Sequence, residues 1–227
     1  MTNKICVSVP PKTVTEALSL IEKAEDQHAD FIEVRLDNLK KYTRLADIAH
    51  YSKTPLIATN RSAKCQGRFL GSEAERERIL MSAARDGFEY VDIELSTSKL
   101  KGITGNLREM GTKPIVSFHD FNETPSSSQL NKILNKEIAS GADVCKIVTT
   151  ARFVDDNLTV LDFVSKASKN ARMVCFAMGK LGKPSRLLSP VFGSFFTIAS
   201  LESERKTAPG QLTIQEMGRA YEALGLK

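Results

Sequence analysis

Short runs of apolar and β-branched residues recur along the chain. They alternate with stretches in which apolar residues return every three or four positions. Eight runs read as strands: residues 5–9, 31–36, 55–59, 90–95, 114–119, 144–148, 173–177 and 194–198. Between them, Val14, Ala17, Leu18 and Ile21 follow helical spacing behind Thr13, whose hydroxyl suits an N-cap. Ser72 opens a charged helix with Ile79, Leu80 and Ala83 on its apolar face. Serines 126–128 introduce Leu130, Ile133, Leu134 and Ile138, and Gly141 follows as a stop signal. Leu158, Leu161, Val164 and Ala167 repeat the pattern, and Ile214, Met217, Tyr221 and Leu224 make the last helix.

Strands alternating with helices at this spacing predict parallel β-α units, and eight such units predict a (β/α)8 TIM barrel. A doubly wound sheet usually has fewer strands and often a Gly-rich phosphate turn after the first. Here the first strand runs into Pro10-Pro11, and no G-x-G-x-x-G occurs. No linker or shift in composition divides the chain, so residues 1–227 read as one domain.

Several strands carry charge in their interior. Side chains alternate faces along a strand, so Glu33 and Arg35 share one face and Ile32, Val34 and Leu36 the other. In a barrel the apolar face packs on helices, which turns Glu33, Arg35, Asp92 and Glu94 inward. Ser117 and His119 share a face, and Lys146 lies between Val144 and Val148 on its own. Unpaired charges there would each cost several kcal/mol of desolvation. A structural ion-pair network is one explanation. A site is the other, because active sites of this fold sit at the C-terminal strand ends, where His119, Lys146 and Arg61 fall.

Desolvation and a nearby Arg35 predict a depressed pKa for Lys146, and a neutral amine attacks ketones to form a Schiff base. Such chemistry needs a general acid and base. Of the three histidines, His28 and His50 lie in helix or loop, which leaves His119. Asp92 or Glu94, one strand earlier, is placed to orient its imidazole. Arg35, Arg61 and Arg186 are candidates for a carboxylate or phosphate. Thr207 and Gln211, in the Pro-Gly turn after the last strand, offer neutral hydrogen bonds to a polyhydroxylated ligand.

Composition narrows the partners. The net charge is +5 and the charges are interspersed, with no Trp and no basic stripe of the nucleic-acid-binding kind. No apolar run approaches the roughly 18 residues of a membrane span, and the N-terminus lacks a secretory apolar stretch. A soluble, cytoplasmic protein is expected. Cys6, Cys65, Cys145 and Cys175 have no zinc-ligand or C-x-x-C spacing, and the first, third and fourth read as buried small hydrophobes.

Five motifs occur in order: Glu33-Val34-Arg35-Leu36-Asp37, Ser117-Phe118-His119-Asp120-Phe121, Lys146-Ile147-Val148-Thr149, Met178-Gly179 through Ser185-Arg186, and Ala208-Pro209-Gly210-Gln211. With Ser8 on the first strand and Arg61 after the third, the chain resembles the type I 3-dehydroquinate dehydratases of the shikimate pathway over nearly its whole length. The resemblance implies a homodimeric barrel with no metal or organic cofactor. It implies an imine between Lys146 and the substrate ketone, and His119 moving the C2 proton and helping to expel the C1 hydroxyl. Arg186 would hold the substrate carboxylate, and Ser8, Glu33, Arg35, Arg61, Thr207 and Gln211 would line its oxygens. Asp92 would stand behind His119. Many relatives have a glutamate four residues after the arginine matching Arg61, where this chain has Cys65, and a serine where it has Thr207. Residues 61–71, with two glycines, read as a lid. The rival readings are a lysine-imine aldolase acting on a sugar phosphate and a non-catalytic barrel that binds small carboxylates.

Overall fold

The computed structural model describes residues 3–205 and 207–226. Eight parallel strands form a barrel: β1 (Ile5–Val9), β2 (Phe31–Arg35), β3 (Leu56–Thr59), β4 (Tyr90–Glu94), β5 (Lys113–His119), β6 (Val144–Thr150), β7 (Met173–Met178) and β8 (Thr197–Ser200). Each is followed by a helix: α1 (Val14–Asp26), α2 (Leu45–Tyr51), α3 (Glu73–Arg85), α4 (Leu100–Glu109), α5 (Ser127–Ala139), α6 (Asp156–Ala167), α7 (Lys183–Leu188) and α8 (Ile214–Ala223). The hydrogen-bonded order runs from β7 down to β1 and on to β8. Among the described residues no ladder joins β7 to β8. Instead the Phe195 N–H donates to the Met173 carbonyl at 2.7 Å, and the Ser194 hydroxyl accepts from the Cys175 N–H at 3.4 Å. Among the described residues no helix is long and apolar enough to cross a membrane.

The last strand differs from the expected 194–198. Ser194 is occupied with bonds to β7 and to the Phe196 carbonyl, and the Phe195 ring lies under the cations of Lys4 and Arg172. Parallel pairing with β1 therefore begins at Thr197, opposite Ile5. The periodicity also left three helices unassigned. α2 and α4 start from left-handed residues, Arg44 and Lys99, without a side-chain cap. α4 contains Gly102 and Gly105, and α7 is a six-residue helix with Pro184 in its first turn. Thr13, Ser72 and Ser126 cap α1, α3 and α5 as the sequence predicts. Leu158, placed on the apolar stripe of α6, is instead exposed.

Apolar residues between strands and helices form the outer core. Inside the barrel, Cys6, Phe31, Ile57, Tyr90, Ile115, Val144, Val174 and Phe196 make a second cluster. Pairing of Ser8 with Glu33, Thr59 with Asp92 and Ser117 with Lys146 sets a polar layer two residues further along the strands. The inward direction read from alternation thus holds for Glu33, Asp92, Ser117 and Lys146, all buried. Cys6, Cys145 and Cys175 are buried and unpaired. Behind β6, burial pushes the Glu137 carboxyl well above the usual carboxylate range, so it packs as a neutral acid. The unfolded chain releases that proton above about pH 4.5, so this group makes the fold less stable as pH rises from there.

Candidate active site

The apolar floor ends where the polar layer begins, and there four charges alternate in sign. Arg61 Nη2 donates to Asp92 Oδ1 at 2.7 Å. Lys146 Nζ donates to Asp92 Oδ2 at 2.8 Å and to Glu33 Oε1 at 3.2 Å. Ser8 and Thr59 hydroxyls donate to Glu33 at 2.6 and 2.9 Å, and Ser117 donates to Asp92 at 2.7 Å. Each carboxylate thus accepts three hydrogen bonds. Burial opposes ionisation of Glu33, but Lys146 and Arg35 outweigh it and hold the group at about 2. Asp92, against Arg61 and Lys146, is also held well below the usual range.

This corrects the expected depressed pKa of Lys146. Burial does disfavour its charge, but Asp92 and Glu33 overcome that, and the group is raised above its ordinary value. Free Lys146 is an ammonium with two counter-ions. The sequence placed Arg35 beside it. In the structure Arg35 Nε and Nη2 instead bind Asp37 in a bidentate pair at 2.9 and 2.8 Å.

Above Lys146 opens a cavity of about 590 Å³, mouth included, lined by Glu33, Arg35, Arg61, His119, Lys146, Arg186, Thr207 and Gln211, with Phe121, Val148, Phe176 and Met178 as apolar walls. His119 enters from the end of β5, its ring stacked on Phe121 at 5.7 Å. Its Nδ1 is buried without a partner. Burial first, then the charges of Arg61 and Lys146, lower its pKa well below 6.5, so it is a neutral imidazole. The three hydrogen bonds that Asp92 accepts come from Arg61, Ser117 and Lys146, and not from His119. Those that Glu94 accepts come from the backbone and hydroxyl of Ser62, both at 2.9 Å. Ser8 sits behind Glu33 and does not border the cavity.

Arg186 projects from α7, nearly fully buried, with its guanidinium over the Phe176 ring at 4.2 Å. Nη1 donates to the Ile198 carbonyl at 3.2 Å, while Nε and Nη2 have no partner. Burial alone lowers its pKa to about 9. A desolvated, half-satisfied guanidinium on a cavity wall is a receptor for a planar anion. The loop after β8 closes this side. Gln211 Oε1 accepts from the Thr207 N–H at 2.8 Å, and the Gly179 N–H donates to the Pro209 carbonyl at 3.2 Å. A Cβ on Gly210 would stand 2.1 Å from the Gly179 carbonyl oxygen, so only glycine permits the approach.

The segment expected as a lid is stapled down. Asp37 accepts from the backbone N–H of Arg61 and of Arg68 at 3.3 and 3.0 Å. Phe69 is buried and pairs with Ser62, and a Cβ on Gly67 would meet the Arg61 carbonyl at 2.0 Å. Cys65 and Gln66 at its tip border the cavity. Asp37, Thr59 and Ser117 are supporting residues to which the sequence assigned no role. Their signal was there, since each lies within two residues of a predicted site residue. Among the described residues no group of three or more His, Cys, Asp and Glu is placed to hold a metal ion.

Comparison with known proteins decides the family. Residues 5–227 match the family described as type I 3-dehydroquinase. The chain belongs to the type I 3-dehydroquinases. It is 38% identical over 200 residues to a 3-dehydroquinate dehydratase of Dehalococcoides mccartyi, covering 88% of each chain. It is 37% identical over 218 residues to one of Methanothermobacter thermautotrophicus, covering 94% of each. Among solved structures, a type I 3-dehydroquinate dehydratase of Clostridium difficile with covalently modified comenic acid superposes with a TM-score of 0.89 at 25% identity, over 98% of this chain and 92% of that one. At the position where the resemblance led to the expectation of a glutamate, this 3-dehydroquinase has Cys65. Burial and the charge of Glu94 raise its thiol pKa, so it brings no negative charge to the cavity wall.

Proposed function

We propose that this 3-dehydroquinase converts 3-dehydroquinate to 3-dehydroshikimate through an imine on Lys146, with His119 as the acid–base group. The observation that supports it most is one cavity holding a buried lysine between two carboxylates and an uncharged imidazole whose buried Nδ1 has no partner among the described residues.

The protons balance without any outside base. His119 takes one proton from the Lys146 ammonium, and the freed amine adds to the C3 carbonyl. The proton returns to the carbinolamine hydroxyl, which leaves as water, and the C–N bond becomes an iminium. The positive charge passes from Nζ to His119 and returns to Nζ in the iminium, so Asp92 and Glu33, which hold the ammonium, are already in place for the iminium. The iminium acidifies C2, and His119 removes that proton to give an enamine. Electrons return as the C1–O bond breaks, and His119 protonates the departing hydroxyl as water. Hydrolysis of the conjugated iminium frees product and restores the ammonium. Arg186 holds the carboxylate, while Arg35, Arg61, Thr207 and Gln211 meet the ring oxygens. Ser8 acts through Glu33.

Borohydride reduction in the presence of 3-dehydroquinate, followed by peptide mass mapping, tests the imine. A reduced adduct on Lys146 is expected, and its absence from folded protein overturns the mechanism. An aldolase would cleave a phosphorylated ketose, and a binding barrel would turn nothing over. Ultraviolet absorbance from the conjugated enone separates the dehydratase from both.

The low His119 pKa fixes a pH dependence. The base form does the work, so kcat/KM falls on the acid side only as pH drops through the lowered value, well below 6.5. An acid limb centred at or above 6.5 would remove the neutral imidazole from the scheme.

The family resemblance also implies a homodimer. Phe153, Val154 and Leu158 are exposed where α6 begins. Leu181, exposed too, is tied beside them because Asn157 Nδ2 donates to the Val154 and Leu181 carbonyls at 2.7 and 2.8 Å. A second copy covering this patch would bury it about a two-fold axis. Sedimentation velocity is expected to show a dimer, reduced to monomer by Leu158→Asp; a dimer unaffected by that change places the interface elsewhere.

A further inference from the structure

Four non-glycine residues among those described have positive φ: His28, Arg44, Gln66 and Lys99. The first sits in the turn after α1, and Arg44 and Lys99 precede helices. Only Gln66 borders the central cavity. Its φ of 57° and ψ of 24° lie in the left-handed region, where a Cβ crowds the backbone and glycine does not.

The backbone has no freedom to leave that region. The Gln66 N–H donates to the Ala63 carbonyl at 3.1 Å, and the Cys65 and Gly67 N–H groups both donate to the Ser62 carbonyl, at 3.0 and 2.8 Å. The Ala63 N–H donates to the Phe69 carbonyl at 3.0 Å, and Asp37 and Glu94 pin the segment at its base. The loop therefore imposes an unfavourable conformation on a side chain that has no structural work to do. The Gln66 side chain is exposed and makes no hydrogen bond within the described protein.

The location supplies a reason. Gln66 stands with Arg35 and Thr207 on the rim shared by the central cavity and a second recess. The ketone and carboxylate of the ligand are met by Lys146 and Arg186. The remaining ring hydroxyls each donate and accept, and a carboxamide is the neutral group that answers both. We propose that Gln66 is a specificity-determining residue whose carboxamide hydrogen-bonds a ring hydroxyl of the bound polyhydroxylated carboxylate, with the strained backbone retained to present it. This rests on the imine dehydratase reading of the same cavity.

Two variants separate contact from strain. Gln66→Ala removes the carboxamide and keeps a Cβ in the left-handed region, whereas Gln66→Gly removes both. Both are expected to raise KM for 3-dehydroquinate about five- to tenfold with kcat within about twofold, as loss of one neutral hydrogen bond requires. Gln66→Gly is expected to melt about 2–4 °C above Gln66→Ala. A KM within about twofold of the unaltered enzyme in Gln66→Ala, or equal melting of the two variants, overturns the proposal. Borohydride trapping of the unaltered enzyme keeps the two readings apart. If the adduct forms on Lys146 while KM does not move, the Gln66 assignment alone fails; if no adduct forms, the mechanism beneath it fails.

Discussion

Lys146→Ala is expected to lower kcat by about 10⁵-fold or more while leaving a folded barrel. The size follows from what the amine supplies. Without an iminium, C2 is an ordinary carbon next to a ketone, and among the described residues no other lysine lines the cavity to form one. The fold survives because the carboxylates that Lys146 joins have other partners. Asp92 keeps Arg61 and Ser117, and Glu33 keeps Ser8 and Thr59. Glu33 is the group most affected, since Lys146 is the largest influence holding its pKa down. Its pKa should rise from about 2 toward the ordinary carboxylate range. Single-turnover enone absorbance, with circular dichroism as the folding control, measures both effects. A variant that keeps more than a hundredth of the rate would show that the lysine is a counter-ion and not the nucleophile.

Asp92→Asn should harm stability and rate together. The carboxylate joins three elements, taking hydrogen bonds from Arg61, Ser117 and Lys146 with no exposure to solvent. An amide keeps one acceptor and turns an N–H₂ toward a cation. Removing one partner of a buried ion pair costs about 3–5 kcal/mol, which in a domain of this size lowers Tm by roughly 6–20 °C. Lys146 would then depend on Glu33 alone, and the iminium would lose its closer counter-ion. The pH dependence carries a sign. Asp92 and Glu33 are more acidic folded than unfolded, so their stabilisation is complete above the unfolded carboxylate range and is lost as pH falls toward about 2. The variant should therefore lose less stability than the unaltered protein between about pH 4 and pH 2. Thermal melts across that window decide it, and a Tm within about 2 °C of the original at pH 7 would contradict the network described here.

Much of this site was legible in the chain because strand alternation is strict. Knowing that Ile32, Val34 and Leu36 face the helices turns Glu33 inward, and the same parity places Asp92, Ser117 and Lys146. The boundaries of β8 were less legible. An aromatic pair such as Phe195-Phe196 has high strand propensity whether or not its backbone joins a ladder, and here a serine and two flanking cations set the start. Helix α4 was hidden by Gly102 and Gly105, whose low propensity is overridden by burial of Leu100, Ile103 and Leu107.

The order of apolar and charged residues determined the barrel, the inward charges and the pairing of a lysine with a histidine on neighbouring strands. Those follow from local periodicity, which each segment carries alone. Which acid touches which base was decided only in three dimensions. By sequence Asp92 stood as a partner of His119, and the three-dimensional arrangement of the strands gave it to Lys146 and Arg61. That choice made the lysine a cation and left the imidazole neutral. Electrostatic interaction depends on a few ångströms of distance between residues as far apart in the chain as Glu33 and Lys146, and no one-dimensional pattern encodes it.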